Sequence, residues 1–305
     1  MNIQSSPTTP LRARMIDDMI TRGLGRTSQR GHLRACEQFA VWLGRSPDTA
    51  TPDDVKLFQK HLIENGSAIQ NRNRIMTGVK FLFRVTLRRH DLVAEIFHMK
   101  EPKRVPLVLS QDEIRRLLVL APDLRTRTML SLAYGCGMRA SEVVKLRVGD
   151  IDSEQGIIRI LQSKGAKDRN VMLPAEVLDL LRAWWCERPS RKDAETPASE
   201  RWLFPSRVGW GHITARQFTR ILHDAVAAAG ITKKVTLHTL RHSFATHLLE
   251  RGEDIRVIQA LLGHAKLTTT AGYVQVATGM IAGTGSPLDD LDTTGNRGKA
   301  KAGQA

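Results

Sequence analysis

The stretch from His238 to His247 reads His-Thr-Leu-Arg-His-Ser-Phe-Ala-Thr-His and carries four titratable or cationic side chains within ten residues. Its composition predicts a helix over about residues 238–251. His238 and His242 are four residues apart, a spacing that two metal ligands on one helix can use. However, Thr239 stands where a metalloprotease helix has its Glu base, and no third ligand is evident. The stretch therefore predicts a cationic site rather than a zinc site.

Two further groups follow this helix in the sequence. Leu262-Gly-His264 comes at the end of a helix predicted near residues 254–262, and Tyr273 lies on another predicted near 268–276. The chain has only two tyrosines. The other, Tyr134, lies in an apolar run and is predicted to pack in the core. If the protein uses a covalent tyrosine, Tyr273 is therefore the candidate.

Two basic groups precede the helix. The segment Gly135-Cys-Gly-Met-Arg139-Ala-Ser-Glu142 places an arginine one helical turn before a glutamate. The runs 156–161 and 169–173 are β-prone and flank a polar, glycine-containing segment that includes Lys164. This pattern predicts a β-hairpin with Lys164 near its turn. Each group alone is more typical of an ordinary surface arginine or an ordinary turn lysine than of a catalytic site, so the interpretation depends on their joint occurrence.

In this order and spacing the groups resemble the tyrosine recombinase, or phage integrase, family. The family signature is Arg, Lys on a β-hairpin turn, His-x-x-Arg, His, and then Tyr nine residues later. The matching residues here are Arg139, Lys164, His238, Arg241, His264 and Tyr273. The resemblance covers about residues 10–276. It implies a mainly α fold with a small β-hairpin or sheet, in which a helical SAM-like core-binding domain precedes a mixed α+β catalytic domain.

The resemblance also implies a site-specific DNA recombinase that needs no metal and no other cofactor. Attack on a phosphodiester concentrates negative charge on the two non-bridging oxygens, to which Arg139 and Arg241 can each present a planar donor fork. Tyr273 would attack the phosphorus and form a 3′-phosphotyrosyl link, which a 5′-hydroxyl of another strand can reverse.

Further roles follow from the same resemblance. Lys164 would protonate the departing 5′-oxygen, although Lys167 is close in sequence and stays an alternative. His238 and His264 would donate hydrogen bonds to the phosphate or move protons to and from the tyrosine. Glu142 is expected to orient Arg139 rather than to react.

The first third of the chain has the pattern of four helices, near residues 9–22, 27–44, 52–64 and 68–89. Few acidic residues interrupt the basic side chains of the last helix, so we expect phosphate or major-groove contacts from Arg72, Arg74 and Lys80. Two prolines then favour an extended connector, and Ser110 with Glu113 forms a capping-box signature. The predicted domains are a helical DNA-binding domain at 1–99, a linker at 100–109, a catalytic domain at 110–278 and a flexible tail at 279–305.

Composition supports a nucleic-acid partner. The 305 residues include 46 Lys and Arg against 31 Asp and Glu, a formal net charge of +15. Such a surplus favours an anionic partner, most often a nucleic acid, and the resemblance implies that this partner is double-stranded DNA. No apolar stretch approaches the roughly 20 residues of a membrane span, and no apolar signal core is evident, so we expect a cytoplasmic protein without a membrane partner. Three separated cysteines argue against a disulfide scaffold. The resemblance further implies a homo-oligomer, with a tetramer in the synaptic complex.

Two alternatives stay open on the sequence. A type IB topoisomerase also forms a 3′-phosphotyrosine but rejoins the same strand, although the helical N-terminal domain and linker resemble recombinases more. A non-catalytic DNA-binding protein that retains the fold is the second alternative. The complete set of six residues argues against it, since a degenerate member should lack at least one charged residue.

Overall fold

The computed structural model describes residues 9–102, 105–161, 168–189, 193–207 and 211–263. The chain divides into two compact units, Met1–Lys103 and Arg104–Ala305, which are described separately here. None of the helices in these described ranges is both long and apolar enough to cross a membrane. The division falls within the segment predicted as a linker, and the finer domain boundaries stay predictions.

The first unit is built from helices around an aromatic core. Its helices are α1 (Pro10–Thr21), α2 (Arg26–Leu43), α3 (Pro52–Glu64), α4 (Ile69–Phe81) and the short α5 (His90–Ala94). Phe39 lies at the centre, where its ring makes edge-to-face contacts with Phe58 at 5.0 Å and Phe83 at 5.7 Å between ring centroids. Such pairs add to the stabilisation that burial of the rings provides. The four helices predicted from the periodicity are present.

The last of these helices departs from its predicted length. After Phe81 the chain continues as a π-helical segment, Leu82–Thr86, and Arg88 then adopts a left-handed backbone with φ of 56°. The Arg89 N–H donates to the carbonyl of Phe83 at 2.8 Å, which closes the segment. The prediction of one helix to residue 89 was therefore wrong at its C-terminal end. The α-helix ends at Phe81, the backbone hydrogen bonds of the next five residues have the wider spacing of a π-helix, and Arg88 then leaves the helical conformation.

The second unit packs seven helices and a small sheet, among the residues described. The helices are α6 (Gln111–Val119), α7 (Leu124–Gly135), α8 (Ala140–Val143), α9 (Ala175–Glu187), α10 (Ala215–Ala228), α11 (Leu237–Glu250) and α12 (Ile255–Leu262). The antiparallel sheet has the order β1 (Ile151–Asp152), β2 (Ile157–Ile160) and β3 (Arg169–Met172). The predicted hairpin strands correspond to β2 and β3, in register with Ile160 opposite Arg169. The short β1 was not predicted.

Helices α7 and α11 supply much of the core of this unit. Leu130, Leu132 and Ala133 of α7 are fully buried, as is Leu240 of α11. Ser243, also fully buried on α11, accepts a hydrogen bond from the backbone N–H of Leu109 at 2.9 Å. This contact joins the chain entering the unit to its central helix.

The start of α6 agrees with the sequence pattern. The Glu113 N–H donates to the Ser110 hydroxyl at 3.2 Å, and the Ser110 N–H donates to the Glu113 carboxylate at 2.7 Å. The predicted capping box is confirmed. A mostly helical chain with a three-stranded sheet also confirms the predicted fold class.

Candidate functional site

A glycine controls how the chain reaches Arg139. Gly137 has a left-handed backbone with φ of 59°, and a Cβ atom at this position would lie 2.5 Å from the ring of Phe244. Only glycine fits this conformation and this close approach without strain. The turn ends α7 and delivers Arg139 as the residue that precedes α8. It also aims the Gly137 carbonyl at Arg241, whose Nη1 donates to it at 2.6 Å.

Arg139 and Arg241 meet at the C-terminal end of α12. Nη2 of Arg139 donates to the carbonyl oxygens of Leu262 at 3.2 Å and Gly263 at 3.3 Å. Nη2 of Arg241 donates to the same Leu262 carbonyl, and the Arg241 side chain is buried. The two guanidinium groups share one acceptor atom. This shows that the fold brings together two arginines that are about a hundred residues apart in sequence. The predicted arginine pair is therefore a neighbouring pair in the structure.

Glu142 and Arg169 form the second layer of this cluster. Glu142 accepts hydrogen bonds from the backbone N–H of Arg139 at 2.8 Å and from Nη1 of Arg139 at 2.7 Å. Arg169, the first residue of β3, presents Nη1 and Nη2 to the two oxygens of the same carboxylate at 2.8 and 2.7 Å. The sequence analysis singled out Glu142 and missed Arg169. Its position five residues after the hairpin lysine was the only available signal.

The environment of Glu142 keeps it ionised. Burial alone would raise its pKa, but the hydrogen bonds and charge of Arg169, followed by the hydrogen bonds from Arg139, outweigh burial and lower the pKa to about 2. This is the behaviour expected of a buried carboxylate with two guanidinium partners. Glu142 therefore stays a carboxylate over the physiological pH range and can hold Arg139 throughout it.

Two histidines lie on the same helix as Arg241. His238 is in the first turn of α11, where desolvation and then the positive charges of Arg241 and Arg139 lower its pKa. His242 lies beside it, with 6.1 Å between the ring centroids, and burial followed by the charges of His238 and Arg241 lowers its pKa to about 4. The positive charges of both arginines therefore favour the neutral form of His238. Both imidazoles are neutral near pH 7.

Three of the predicted site residues, Lys164, His264 and Tyr273, lie outside the described residues, as do Lys167 and the helix predicted at 268–276. Segments that flank Lys164 and His264 in the sequence are described. Strands β2 and β3 flank Lys164 in the chain, and Gly263, whose carbonyl Arg139 contacts, immediately precedes His264.

The second tyrosine has a structural role. Tyr134 is half-buried on α7, and its hydroxyl is hydrogen-bonded to Nδ1 of His247 at 2.9 Å. Burial raises the pKa of Tyr134, and the charge of Arg251 opposes this only in part. The prediction that this tyrosine packs against the core is confirmed, and a phenol with a raised pKa is a poor nucleophile.

The predicted DNA contacts of α4 differ in exposure. Arg74 is exposed, whereas Arg72 is half-buried, with its Nε atom enclosed and lacking a hydrogen-bond partner among the described residues. Lys80 lines an open cleft of about 590 Å³ whose other cationic or titratable residues are Arg22, His32, Arg84, Arg88 and His90. The sequence analysis did not foresee the cleft, because it combines the residue that follows α1 with residues of α2 and α4, the segment after α4 and the start of α5.

The described ranges contain no group of three or more His, Cys, Asp or Glu placed to hold a metal ion. The chemistry available to the described cluster is therefore that of arginines, histidines and one carboxylate. Within the described ranges, backbone carbonyls and the Glu142 carboxylate hold the guanidinium groups, and the four side chains of Arg139, Arg241, Arg169 and Glu142 together carry a net positive charge.

Comparison with known proteins identifies the class. The model of the phage integrase family matches residues 108–280, and that of the N-terminal SAM-like domain of phage integrases matches residues 11–90. The two matches and the paired arginines define an enzyme that transfers DNA strands. The chain belongs to the phage integrase family, the tyrosine recombinases.

Individual relatives agree with this assignment. Tyrosine recombinase XerD of Ralstonia nicotianae is 35% identical over 267 residues, with 84% of this chain and 85% of the relative covered. An integrase/recombinase of Escherichia coli is 32% identical over 331 aligned positions, which cover 95% and 98% of the two chains. XerH recombinase bound to a palindromic difH substrate is similar in fold, with a TM-score of 0.67, 19% identity and coverage of 92% and 89%.

Proposed function

We propose that this protein is a site-specific DNA recombinase that cleaves and rejoins strands through a 3′-phosphotyrosyl intermediate on Tyr273. The observation that supports this most directly is the arginine pair, in which Arg139 and Arg241 contact the same carbonyl oxygen of Leu262. Donors arranged in advance around one point are what a phosphoryl-transfer transition state needs, because charge develops there on two oxygens at once. In mutational studies of other enzymes, removing one such donor costs about 3–4 kcal/mol of transition-state stabilisation.

The proposed reaction conserves the phosphodiester bond energy. The Tyr273 oxygen loses its proton and attacks the scissile phosphorus, the bond from phosphorus to the 5′-oxygen breaks, and the 3′-phosphate becomes linked to the tyrosine. The departing 5′-oxygen takes a proton from Lys164. In the second half, the 5′-hydroxyl of another strand returns a proton to Lys164 as it attacks the phosphotyrosine. The bond from phosphorus to the tyrosine oxygen breaks, and the phenol recovers its proton from the histidine that accepted it. No oxidant, nucleotide or metal is consumed.

The described neighbours have supporting roles in this reaction. His238, which is neutral near pH 7 because of desolvation and two nearby guanidinium groups, can donate a hydrogen bond to a phosphate oxygen or accept a proton. His264 would act in the same way. Glu142 holds Arg139 through two hydrogen bonds and thereby limits its rotation. The assignment of Tyr273 as the nucleophile is supported by the burial of Tyr134, the other tyrosine of the chain.

We also propose that the first unit binds the duplex beside the cleavage site. The exposed Arg74 and the cleft residue Lys80 are the preferred phosphate contacts of α4, and the half-buried Arg72 is the weaker candidate. The active form would be a tetramer that pairs two sites, and the protein would act on DNA in the cytoplasm. A lambda integrase of similar fold has been crystallised as a dimer on a core site, which agrees with assembly on DNA.

The decisive experiment traps the covalent intermediate. Nicked duplexes made from host genomic DNA lose a short strand after cleavage, so the protein stays attached and the bound fragment can be sequenced. We expect adducts with the wild-type protein and with Tyr134→Phe, which keeps the ring and loses only its hydrogen bond to His247. Tyr273→Phe should bind DNA and form no adduct.

The outcomes separate the alternatives. Adducts with Tyr273→Phe would refute the nucleophile assignment, and tight binding without adducts in the wild-type protein would indicate a DNA-binding protein without catalysis. On substrates that carry two paired sites, strand exchange supports recombination. Relaxation of supercoils without exchange would instead indicate a topoisomerase.

A further inference from the structure

Arg169 connects three segments of the catalytic unit. It is the first residue of β3, and its Nη1 and Nη2 atoms donate to the two oxygens of Glu142 in α8. Its Nε donates to the carbonyl of Leu261 in α12 at 2.9 Å. One side chain on the strand that follows Lys164 therefore contacts both the carboxylate that holds Arg139 and the helix that precedes His264.

The site is built to accept this side chain. Arg169 and Glu142 are 8% and 7% exposed as side chains, so the ion pair is nearly dry, whereas Arg139 is 20% exposed. A Cβ atom at Gly263 would lie 2.8 Å from the Cδ atom of Arg169, and Gly263 has a left-handed backbone with φ of 59°. The end of α12 thus leaves room for Arg169 by having no side chain at this position.

Because the Arg169–Glu142 pair is buried, loss of Arg169 would affect the position of Arg139. A buried carboxylate that loses one of its two cationic partners is left with unsatisfied hydrogen-bonding positions and a charge that its surroundings disfavour. Glu142 would then be free to tilt or to take up a proton. Either change alters the two hydrogen bonds that position the backbone and Nη1 of Arg139.

We infer that Arg169 is a positioning residue for strand transfer, which fixes Arg139 against the end of α12 through Glu142 and the Leu261 carbonyl. It acts through Arg139 and does not itself contact the phosphate. This inference rests on the proposed function, since it assigns Arg139 to the phosphate oxygens. The contacts with Glu142 and Leu261 use both terminal nitrogens and Nε of one planar guanidinium group, so a lysine at position 169 cannot make all of them.

The test compares two scissile groups in single-turnover cleavage. One is the natural phosphate of a nicked duplex that the wild-type protein cleaves. The other is a methylphosphonate, in which a methyl group replaces one non-bridging oxygen and removes the negative charge. We expect Arg169→Gln to slow cleavage of the phosphate by about 10- to 100-fold at saturating DNA, since small misplacements of catalytic groups have effects of this size. On the methylphosphonate the loss should be at least several-fold smaller, because there is less charge for Arg139 to neutralise.

The control is Arg159→Gln, which removes an arginine of β2 paired with Asp152 on the same sheet, away from Glu142. It should leave both cleavage rates and their ratio unchanged. Arg169→Lys, which keeps a positive charge beside Glu142, should show the same selective loss as Arg169→Gln and provides the measurement if the glutamine variant fails to fold. Dissociation constants for DNA should change little in all three variants.

An equal loss on both substrates, in a variant that is folded and binds DNA, would mean that Arg169 only supports the fold and would overturn the inference. An unchanged rate on the phosphate would overturn it as well. Failure of the proposed function has a different result, because the wild-type protein itself would then form no adduct on either substrate.

Discussion

Backbone carbonyls are among the acceptors that hold both arginines of the pair, and Arg139 is held by the Glu142 carboxylate as well. Arg241 donates to the carbonyls of Gly137 and Leu262, and Arg139 shares the Leu262 carbonyl. Carbonyl oxygens satisfy buried N–H donors without cancelling their charge, whereas carboxylates would do both. The carbonyl contacts orient the guanidinium groups without cancelling their positive charge, which the proposed function assigns to the phosphate oxygens.

The lowered pKa of His242, which follows Arg241 in the sequence, leads us to expect that stability depends on pH. The pKa of His242 is lowered to about 4 in the folded protein, first by burial and then by His238 and Arg241, against an ordinary value of 6.5. Between these two values the unfolded chain binds more protons than the folded one, so the free energy of unfolding falls as the pH is lowered from about 6.5 to about 4. His242→Gln should reduce this slope.

Urea unfolding between pH 4 and pH 7.5 measures the effect. The matched control is His223→Gln, which changes an exposed histidine of α10 and should keep the slope of the wild-type protein. Equal slopes in the wild-type protein and His242→Gln would show that His242 does not govern this dependence.

At the level of elements, the turn between α7 and α8 decides where Arg139 lies. Gly137 makes this turn with a left-handed backbone beside Phe244 of α11. Sequence periodicity identifies the apolar stretch before the turn, but it does not show that the turn must fit against another helix. Sequence periodicity also fails to identify the π segment Leu82–Thr86, because its mostly apolar residues are compatible with the hydrogen-bond spacing of an α-helix as well as that of a π-helix.

Substitution of Gly137 tests the importance of this turn. Gly137→Ala forces an alanine into a left-handed backbone conformation and places its Cβ atom 2.5 Å from the ring of Phe244. Together these effects should lower the free energy of unfolding by about 3 kcal/mol. Gly156→Ala is the matched control, because Gly156 has φ of 66° and nothing within 4 Å of the added atom. It should cost only about 1 kcal/mol, the backbone contribution. Similar losses in both variants, measured by urea unfolding, would exclude a packing role for Gly137.

For the whole molecule, charge governs the interaction with DNA. The formal net charge of +15 and the basic cleft of the first unit predict an affinity that falls steeply with salt. Each phosphate contact contributes about 0.9 to the slope of log K against log salt concentration.

Measurement of this slope tests the proposed contacts. Arg74→Gln and Lys80→Gln should each reduce the magnitude of the slope by about 0.9. Lys56→Gln is the control, because Lys56 of α3 already pairs with Asp53 and Glu95. Unchanged slopes in the first two variants would show that Arg74 and Lys80 of α4 do not contact phosphates of the bound DNA.

The sequence by itself determined the helical class, the β2–β3 hairpin, the capping box of α6 and the family, because these depend on local periodicity, capping residues and the spacing of titratable groups. Only the tertiary structure decided the contacts of Arg169, the shared Leu262 carbonyl and the lowered pKa of Glu142. The physical reason is that burial and backbone acceptors control them. A carbonyl is present in every residue, so only the packing of α7, α11, α12 and β3 selects which ones hold the arginines.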